Sequence, residues 1–202
     1  MKSMAFIDYQ NFEICKTDYL KSIKRNTFNI NFQKLANCLN DRITLQPNLM
    51  KTFLFAYKPC DELLQLDTYR NYYNWLSGLR NKPFFEVIEG VQQLRPVNSS
   101  IPINIYDNST FKTKEKGTDI NLAVNMLSKA YQNAYDIAIL VSGDTDYIPV
   151  IKELHNLGKI VVLATLPNQN IKRYDEYRDA HIKIDIQLLK ECIPVKNKPV
   201  KN

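Results

Sequence analysis

No apolar run in the chain approaches the roughly 20 residues that a membrane-spanning helix needs. The first residues, Met1-Lys2-Ser3-Met4-Ala5-Phe6-Ile7-Asp8, meet a carboxylate before a signal-peptide core could form. The expectation is a soluble, cytoplasmic protein with no membrane partner. Glycine is scarce, 5 in 202 residues, and prolines number 9, which excludes a collagen-like or low-complexity chain. The four cysteines, Cys15, Cys38, Cys60 and Cys192, have neither CxxC nor Cys/His spacing, so neither a structural zinc site nor a disulfide framework is indicated. His155 and His181 are the only histidines. No Ser/His/Asp or Cys/His constellation accompanies them, and there is no phosphate-binding loop ending in Gly-Lys-Ser/Thr.

What is present is ordinary globular material. Hydrophobic residues are 45% and charged residues 24% of the chain, which excludes global disorder, and 202 residues suffice for one domain with a sizeable core. Lysine and arginine outnumber aspartate and glutamate 27 to 21, for a net charge of +6. That surplus permits a polyanionic partner and also simply keeps a protein soluble, so composition alone assigns no function.

The order of elements says more. Met4 to Asp8 reads as a buried strand ending in a carboxylate. After a polar loop, Phe32, Leu35, Ala36, Leu39 and Ile43 mark one face of a helix. Lys51 to Tyr57 is a second strand, Asp61 to Leu79 a helix with Asp61 as its N-cap, and Phe84 to Ile88 a third strand. Ile101 to Tyr106 reads as an edge strand or a loop, because its proline fits no central strand. Then come a helix from Thr118 to Tyr131, a strand from Ile137 to Val141, a helix from Tyr147 to Leu157 and a strand from Ile160 to Ala164. Apolar strands alternating with helices predict an α/β fold, a mainly parallel sheet with helices on both faces. One domain spans residues 1–193, and 194–202, with three lysines and two prolines, reads as a basic, frayed tail.

In such a sheet the site lies beyond the carboxyl ends of the strands. Asp8 ends the first strand, Asp144 and Asp146 follow the strand that ends at Val141, and Asp119 starts the helix after Lys116-Gly117-Thr118. A parallel sheet would bring all four to one edge. At ~5 Å and an effective dielectric of about 20, each like-charged pair repels by roughly 3 kcal/mol. A hard divalent cation, Mg²⁺ or Mn²⁺, reverses that sign and suits oxygen-only ligands and phosphate-ester hydrolysis. Each aspartate alone also has an ordinary reading as a cap or turn residue.

The stretches Phe6-Ile7-Asp8-Tyr9-Gln10-Asn11, Lys116-Gly117-Thr118-Asp119-Ile120-Asn121-Leu122-Ala123 and Ala134 to Tyr147, containing Val141-Ser142-Gly143-Asp144-Thr145-Asp146, carry a family resemblance. Leu157-Gly158-Lys159-Ile160-Val161 continues it. The chain resembles the NYN domain family, the LabA-like branch of the PIN-like nucleases. The resemblance implies a three-layer, Rossmann-like PIN-type sheet and metal-dependent cleavage of RNA, less often DNA. By position, Asp8, Asp119 and Asp144 would be metal-binding carboxylates, with Asp146 a further ligand or a base beside them. Asn11 matches the asparagine after the first strand, there to orient a ligand or bind substrate; an Asx turn is its bland alternative. Two positions depart from the family pattern. Tyr9 stands where many members carry glycine, and Asn125 where many carry aspartate, which keeps an oxygen but removes one charge.

Lys112, Lys114 and Lys116 recur at every second position, so an extended segment would present three ammonium groups on one face to grip phosphates. A solvated edge is the alternative. Lys172 and Arg173 are weaker candidates. Tyr69, Tyr72, Tyr73 and Trp75 could stack unpaired bases, although their spacing also suits a core. The leading function is thus a divalent-metal-dependent ribonuclease with RNA, single-stranded RNA included, as its partner. The rivals are a haloacid-dehalogenase-like phosphatase, which needs a carboxylate where Gln10 stands, and a catalytically weak or inactive RNA-binding or scaffolding module. A homo-oligomer is compatible with all three.

Overall fold

The computed structural model describes residues 1–194. Most of the basic tail read from the sequence lies outside the described residues. Seven strands form one sheet, β1 (Lys2–Asp8), β2 (Asn48–Lys58), β3 (Phe85–Pro96), β4 (Phe111–Lys116), β5 (Ile137–Val141), β6 (Ile160–Thr165) and β7 (Ala180–Lys183), in the spatial order β4-β3-β2-β1-β5-β6-β7. Every pairing is parallel except that of β3 with β4. The chain builds outward from β1 in one direction through β2 and β3, then jumps to β5 and builds the other way. The carboxyl ends of β1 and β5 therefore flank the point where the strand order reverses, the natural binding crevice of an open α/β sheet.

Helices cover both faces. Helices α1 (Tyr9–Ser22), α2 (Phe32–Asn40), α3 (Asp67–Leu79) and α6 (Ile186–Glu191) pack with Ala5, Ile7, Leu54, Val87, Ile139 and Val162 on one side. On the other, α4 (Thr118–Tyr131) and α5 (Ile148–Asn156) cover Phe6, Phe53, Phe55, Leu140 and Leu163. The strictly apolar β5 is buried along its whole length, as expected of a central parallel strand. Phe6 and Phe53 stack at 5.3 Å between ring centroids, and Tyr135 meets Phe6 edge-on at 5.5 Å.

Two segments depart from the sequence reading, and of the two alternatives for Ile101 to Tyr106 the loop is the one observed. Residues 9–22 are not a polar loop but a 14-residue helix, whose buried positions are Phe12, Lys16 and Leu20. A lysine in the middle of the stripe hides its period. Asp61 caps nothing: a 3₁₀ turn at Leu63–Gln65 intervenes, and α3 begins at Asp67 behind Leu66, which makes no side-chain cap. Ile101 to Tyr106 is loop, and the edge strand is β4, which returns antiparallel along β3 with Lys116 opposite Val91.

That return brings Asp119 to the site. Because β4 runs backward from Phe111 beside Pro96, it ends near the carboxyl edge and hands the chain to α4 there. Gly117, at φ 86°, makes the turn in a left-handed conformation that suits glycine. Gly90 permits the close approach beneath it, since a Cβ there would stand 2.8 Å from the Lys116 carbonyl and 2.9 Å from the Thr118 nitrogen, and would strike the Thr118 hydroxyl.

Candidate acidic site

Asp8 is both the last residue of β1 and the N-cap of α1, its Oδ1 accepting from the Asn11 backbone N–H at 3.1 Å. It is 4% exposed. The Ser142 hydroxyl donates to its Oδ2 at 3.0 Å and itself accepts from the Asp144 N–H at 3.2 Å, which links the exits of β1 and β5. The Tyr147 hydroxyl stands 3.3 Å from Asp8 Oδ2 and 3.2 Å from Asp119 Oδ1. One phenol proton can serve only one of these carboxylates at a time. Burial pushes the Asp8 carboxyl up to about 6; its hydrogen bonds from Asn11 and Ser142 oppose this, and the charge of Asp119 adds to it. Burial and the neighbouring charges of Asp8 and Asp119 likewise push the Tyr147 phenol up, so it stays a neutral donor.

Asn11 ties three strand exits together. Its Oδ1 accepts from the Gly143 N–H at 3.1 Å, after β5, and from Gln169 Nε2 at 2.8 Å, after β6. Asp8, not Asn11, makes the Asx-type cap, and the Asn11 carbonyl is engaged by the protein itself. Asp144 accepts from the Asp146 N–H at 3.0 Å, and its backbone carbonyl receives the Tyr174 hydroxyl. Asp146 is exposed.

Four further residues enter that sequence reasoning missed. Ser142 and Tyr147 sit inside the Ser-Gly-Asp-Thr-Asp-Tyr stretch and were overshadowed by its carboxylates. Gln169 would have been found by applying the strand-end rule to β6. Glu115 was hidden between lysines, where alternation is the signal: in an extended strand it must face away from Lys114 and Lys116. Both Glu115 carboxylate oxygens are buried, as are Gln92 Oε1 and Thr118 Oγ1 nearby, and the Thr118 hydroxyl is the donor closest to that carboxylate. Burial raises the Glu115 carboxyl, a hydrogen bond from Thr118 opposes this, and the charges of Asp8 and Asp119 push it up again, so Glu115 lies within electrostatic reach of those two.

The lysines divide from this cluster. Lys112, Lys114 and Lys116 are all exposed and lie on the face of β4 opposite Glu115, in register with Arg95, Gln93 and Val91. The comb is real, but it flanks the acidic edge rather than entering it. Asn125 is half-buried and donates to the Asn121 carbonyl at 2.9 Å, within its own helix.

Among the described residues no three Asp, Glu, His or Cys side chains converge tightly enough to form a metal cluster. The donor set nevertheless fits a hard divalent cation. It is oxygen-only, Glu115 presents two buried oxygens, and among the described residues no lysine or arginine pairs with Asp8, Glu115, Asp119, Asp144 or Asp146. Among the described residues, no helix is long and apolar enough to cross a membrane.

The sequence profile of the NYN domain matches residues 2–185. No curated protein matches the chain significantly. Among solved structures, a Vibrio parahaemolyticus protein of unknown function is similar, with 19% identity, a TM-score of 0.58, and coverage of 92% of this chain and 93% of that one. At that identity the likeness concerns the fold.

Proposed function

Because the chain belongs to the NYN domain family, a PIN-like nuclease family, we propose that it is a divalent-metal-dependent ribonuclease. The observation that carries this reading is the set of carboxylates without cationic partners at the strand-order reversal, around Asp8, which is buried and held by three donors. Asp8, Asp119 and Asp144 would hold Mg²⁺ or Mn²⁺, with Asp146 and Glu115 beside them. When bound, such an ion lowers the pKa of a water and neutralises charge developing on phosphate oxygens. The chain's own residues prepare the place. Ser142 and the Asn11 N–H fix the orientation of Asp8, Tyr147 holds Asp8 and Asp119 about one hydroxyl, and Asn11 locks the Gly143 turn that presents Asp144. Lys112, Lys114 and Lys116 supply sequence-blind phosphate affinity along the flank. RNA is the proposed polymer, with DNA less favoured, and Asn11 acts on substrate only through the loops it ties.

A second reading, an RNA-binding module with a weakened pocket, is favoured by Asn125, whose amide is spent on its own helix. The test is cleavage of an end-labelled single-stranded RNA by wild type and by Asp144→Asn, each with Mn²⁺, Mg²⁺ or EDTA. The expected outcome is cleavage that requires metal and is lost in the variant. An RNA bound but left intact by the wild type in either metal supports the second reading, and equal cleavage by both proteins exposes a contaminant.

A further inference from the structure

Beside the acidic edge, between the first turns of α1 and the middle of α3, lies a cavity of about 360 Å³. Its walls are the rings of Tyr9, Tyr72 and Trp75, and its polar rim is Glu13, Asn29 and Asn71. We propose that this cavity is a nucleobase pocket that receives an unpaired guanine of the substrate strand. The proposal takes the polymer from the nuclease reading above, and nothing else.

Three observations support it. First, the rings are braced rather than loose. Tyr9 sits 5.4 Å from Trp75 and 5.7 Å from Tyr72, Tyr72 stacks on Tyr57 at 4.9 Å, and the Tyr72 hydroxyl donates to the Tyr57 carbonyl at 3.0 Å. All three wall rings remain partly exposed. Rigid, partly exposed aromatic rings are what a base stacks upon, with little ordering left to be done.

Second, Glu13 is a built acceptor. Lys16, 1% exposed, spends its three donors on Glu13 Oε1 at 2.7 Å, Glu13 Oε2 at 2.8 Å and the Phe28 carbonyl at 2.9 Å. The ammonium cancels the carboxylate's charge and pins it, while each oxygen retains a free lone pair. Two adjacent acceptors match an edge that offers two adjacent donors, and among the four bases of RNA the N1–H and N2–H₂ of guanine form that edge.

Third, the pocket is placed for a strand that also reaches the carboxylates. Tyr9 directly follows Asp8 in the chain. Tyr57 and Tyr72 lie within electrostatic reach of Glu115. Strand register places Lys112, Lys114, Lys116 and Arg95 on the face of the sheet that α3 covers, since their β3 partners share the parity of Phe85 and Val87. Base, scissile phosphate and flanking phosphates would thus be met by aromatic, acidic and basic groups in turn along one edge.

Trp75 is the only tryptophan, so its fluorescence reports the pocket without any cleavage. Titrating the metal-free protein in EDTA with GMP, AMP, CMP and UMP is expected to show quenching by GMP at an affinity about tenfold above AMP, the discrimination of one bidentate contact. Glu13→Gln should abolish that preference. Because that change strands Lys16 and could unfold α1, Asn71→Leu on exposed α3 surface is measured beside it, with an expected loss of about fivefold for one hydrogen bond. No quenching by any nucleotide, equal affinity for all four, or an unchanged GMP affinity in Asn71→Leu overturns the proposal. The two readings fail separately: a protein that binds GMP yet cuts no RNA defeats the nuclease, and one that cuts RNA but never quenches defeats the pocket.

Discussion

The two sides of the acidic edge are finished to different degrees. At the exits of β1, β5 and β6, polar groups are engaged: Asp8 has three donors, Asn11 two, and Ser142 both gives and receives. Under the β3–β4 ribbon, Glu115, Thr118 and Gln92 bury oxygens for which the Thr118 hydroxyl is the main donor and which meet no cation among the described residues. A buried acceptor without a partner costs about 1–3 kcal/mol, so a donor or cation from outside the chain would stabilise this cluster. The first side is an orienting frame and the second a group of under-served buried oxygens, and a cation between them would serve both.

Three substitutions press on that contrast. The largest effect is expected from Asp8→Asn, which should lower metal-dependent cleavage by about two to three orders of magnitude, as losing a preorganised electrostatic group does. It should at the same time stabilise the metal-free fold. Folding raises the Asp8 carboxyl from 3.8 to about 6, so the folded state holds its proton longer. The stability this gives is complete below pH ~4 and lost as the pH rises through about 6. Asparagine, an equally good cap, escapes that loss and should gain about 1–2 kcal/mol at pH 7 and nothing at pH 4, as read by chemical denaturation in EDTA. Wild-type cleavage should correspondingly fall on acidification below pH 6.

Next, Glu115→Gln should weaken Mn²⁺ binding by about 10- to 100-fold in calorimetric titration, the range for a residue that supports a metal site. Unchanged affinity would dissolve the contrast, because the under-served side would then have no part in the site. The smallest effect is expected from Tyr147→Phe, a loss of about 1 kcal/mol in stability for one hydrogen bond. Its signature is the acid limb of the rate profile moving to higher pH, since the phenol helps hold Asp8 ionised. A profile that keeps its position would show that Tyr147 only packs.

The central elements were legible because one signal dominated each. β5 is five apolar residues bounded by polar ones, and α4 begins and ends where its stripe of Leu122, Met126 and Ala130 predicts. Legibility failed where one residue does two jobs. Lys16 occupies a core position of α1 as the charge partner of Glu13, so hydropathy counts it as surface. In β4, alternating lysines spell an exposed edge and conceal that the opposite face carries Glu115 into the site. Asp119, read from the sequence as opening a helix after Lys116-Gly117-Thr118, reaches the carboxyl edge on the return of an antiparallel strand. Strand-end reasoning pointed to the exits of β1 and β5, while the hydrogen bonds through Asn11, Ser142 and Gln169 depend on distances between chain segments that no local pattern encodes.

The β3–β4 ribbon also separates two kinds of freedom. Gly90, Gly117 and the Thr118 contact fix where α4 starts, independently of how the chain travels from Val97 to Thr110. That outer loop is surface-exposed and closed by the Val97 N–H to Thr110 carbonyl bond at 3.0 Å, so it can lengthen, shorten or change composition without moving Asp119. Within a few residues the molecule therefore joins a segment open to diversification, where preferences among targets could be rewritten, to one whose geometry tolerates almost no drift.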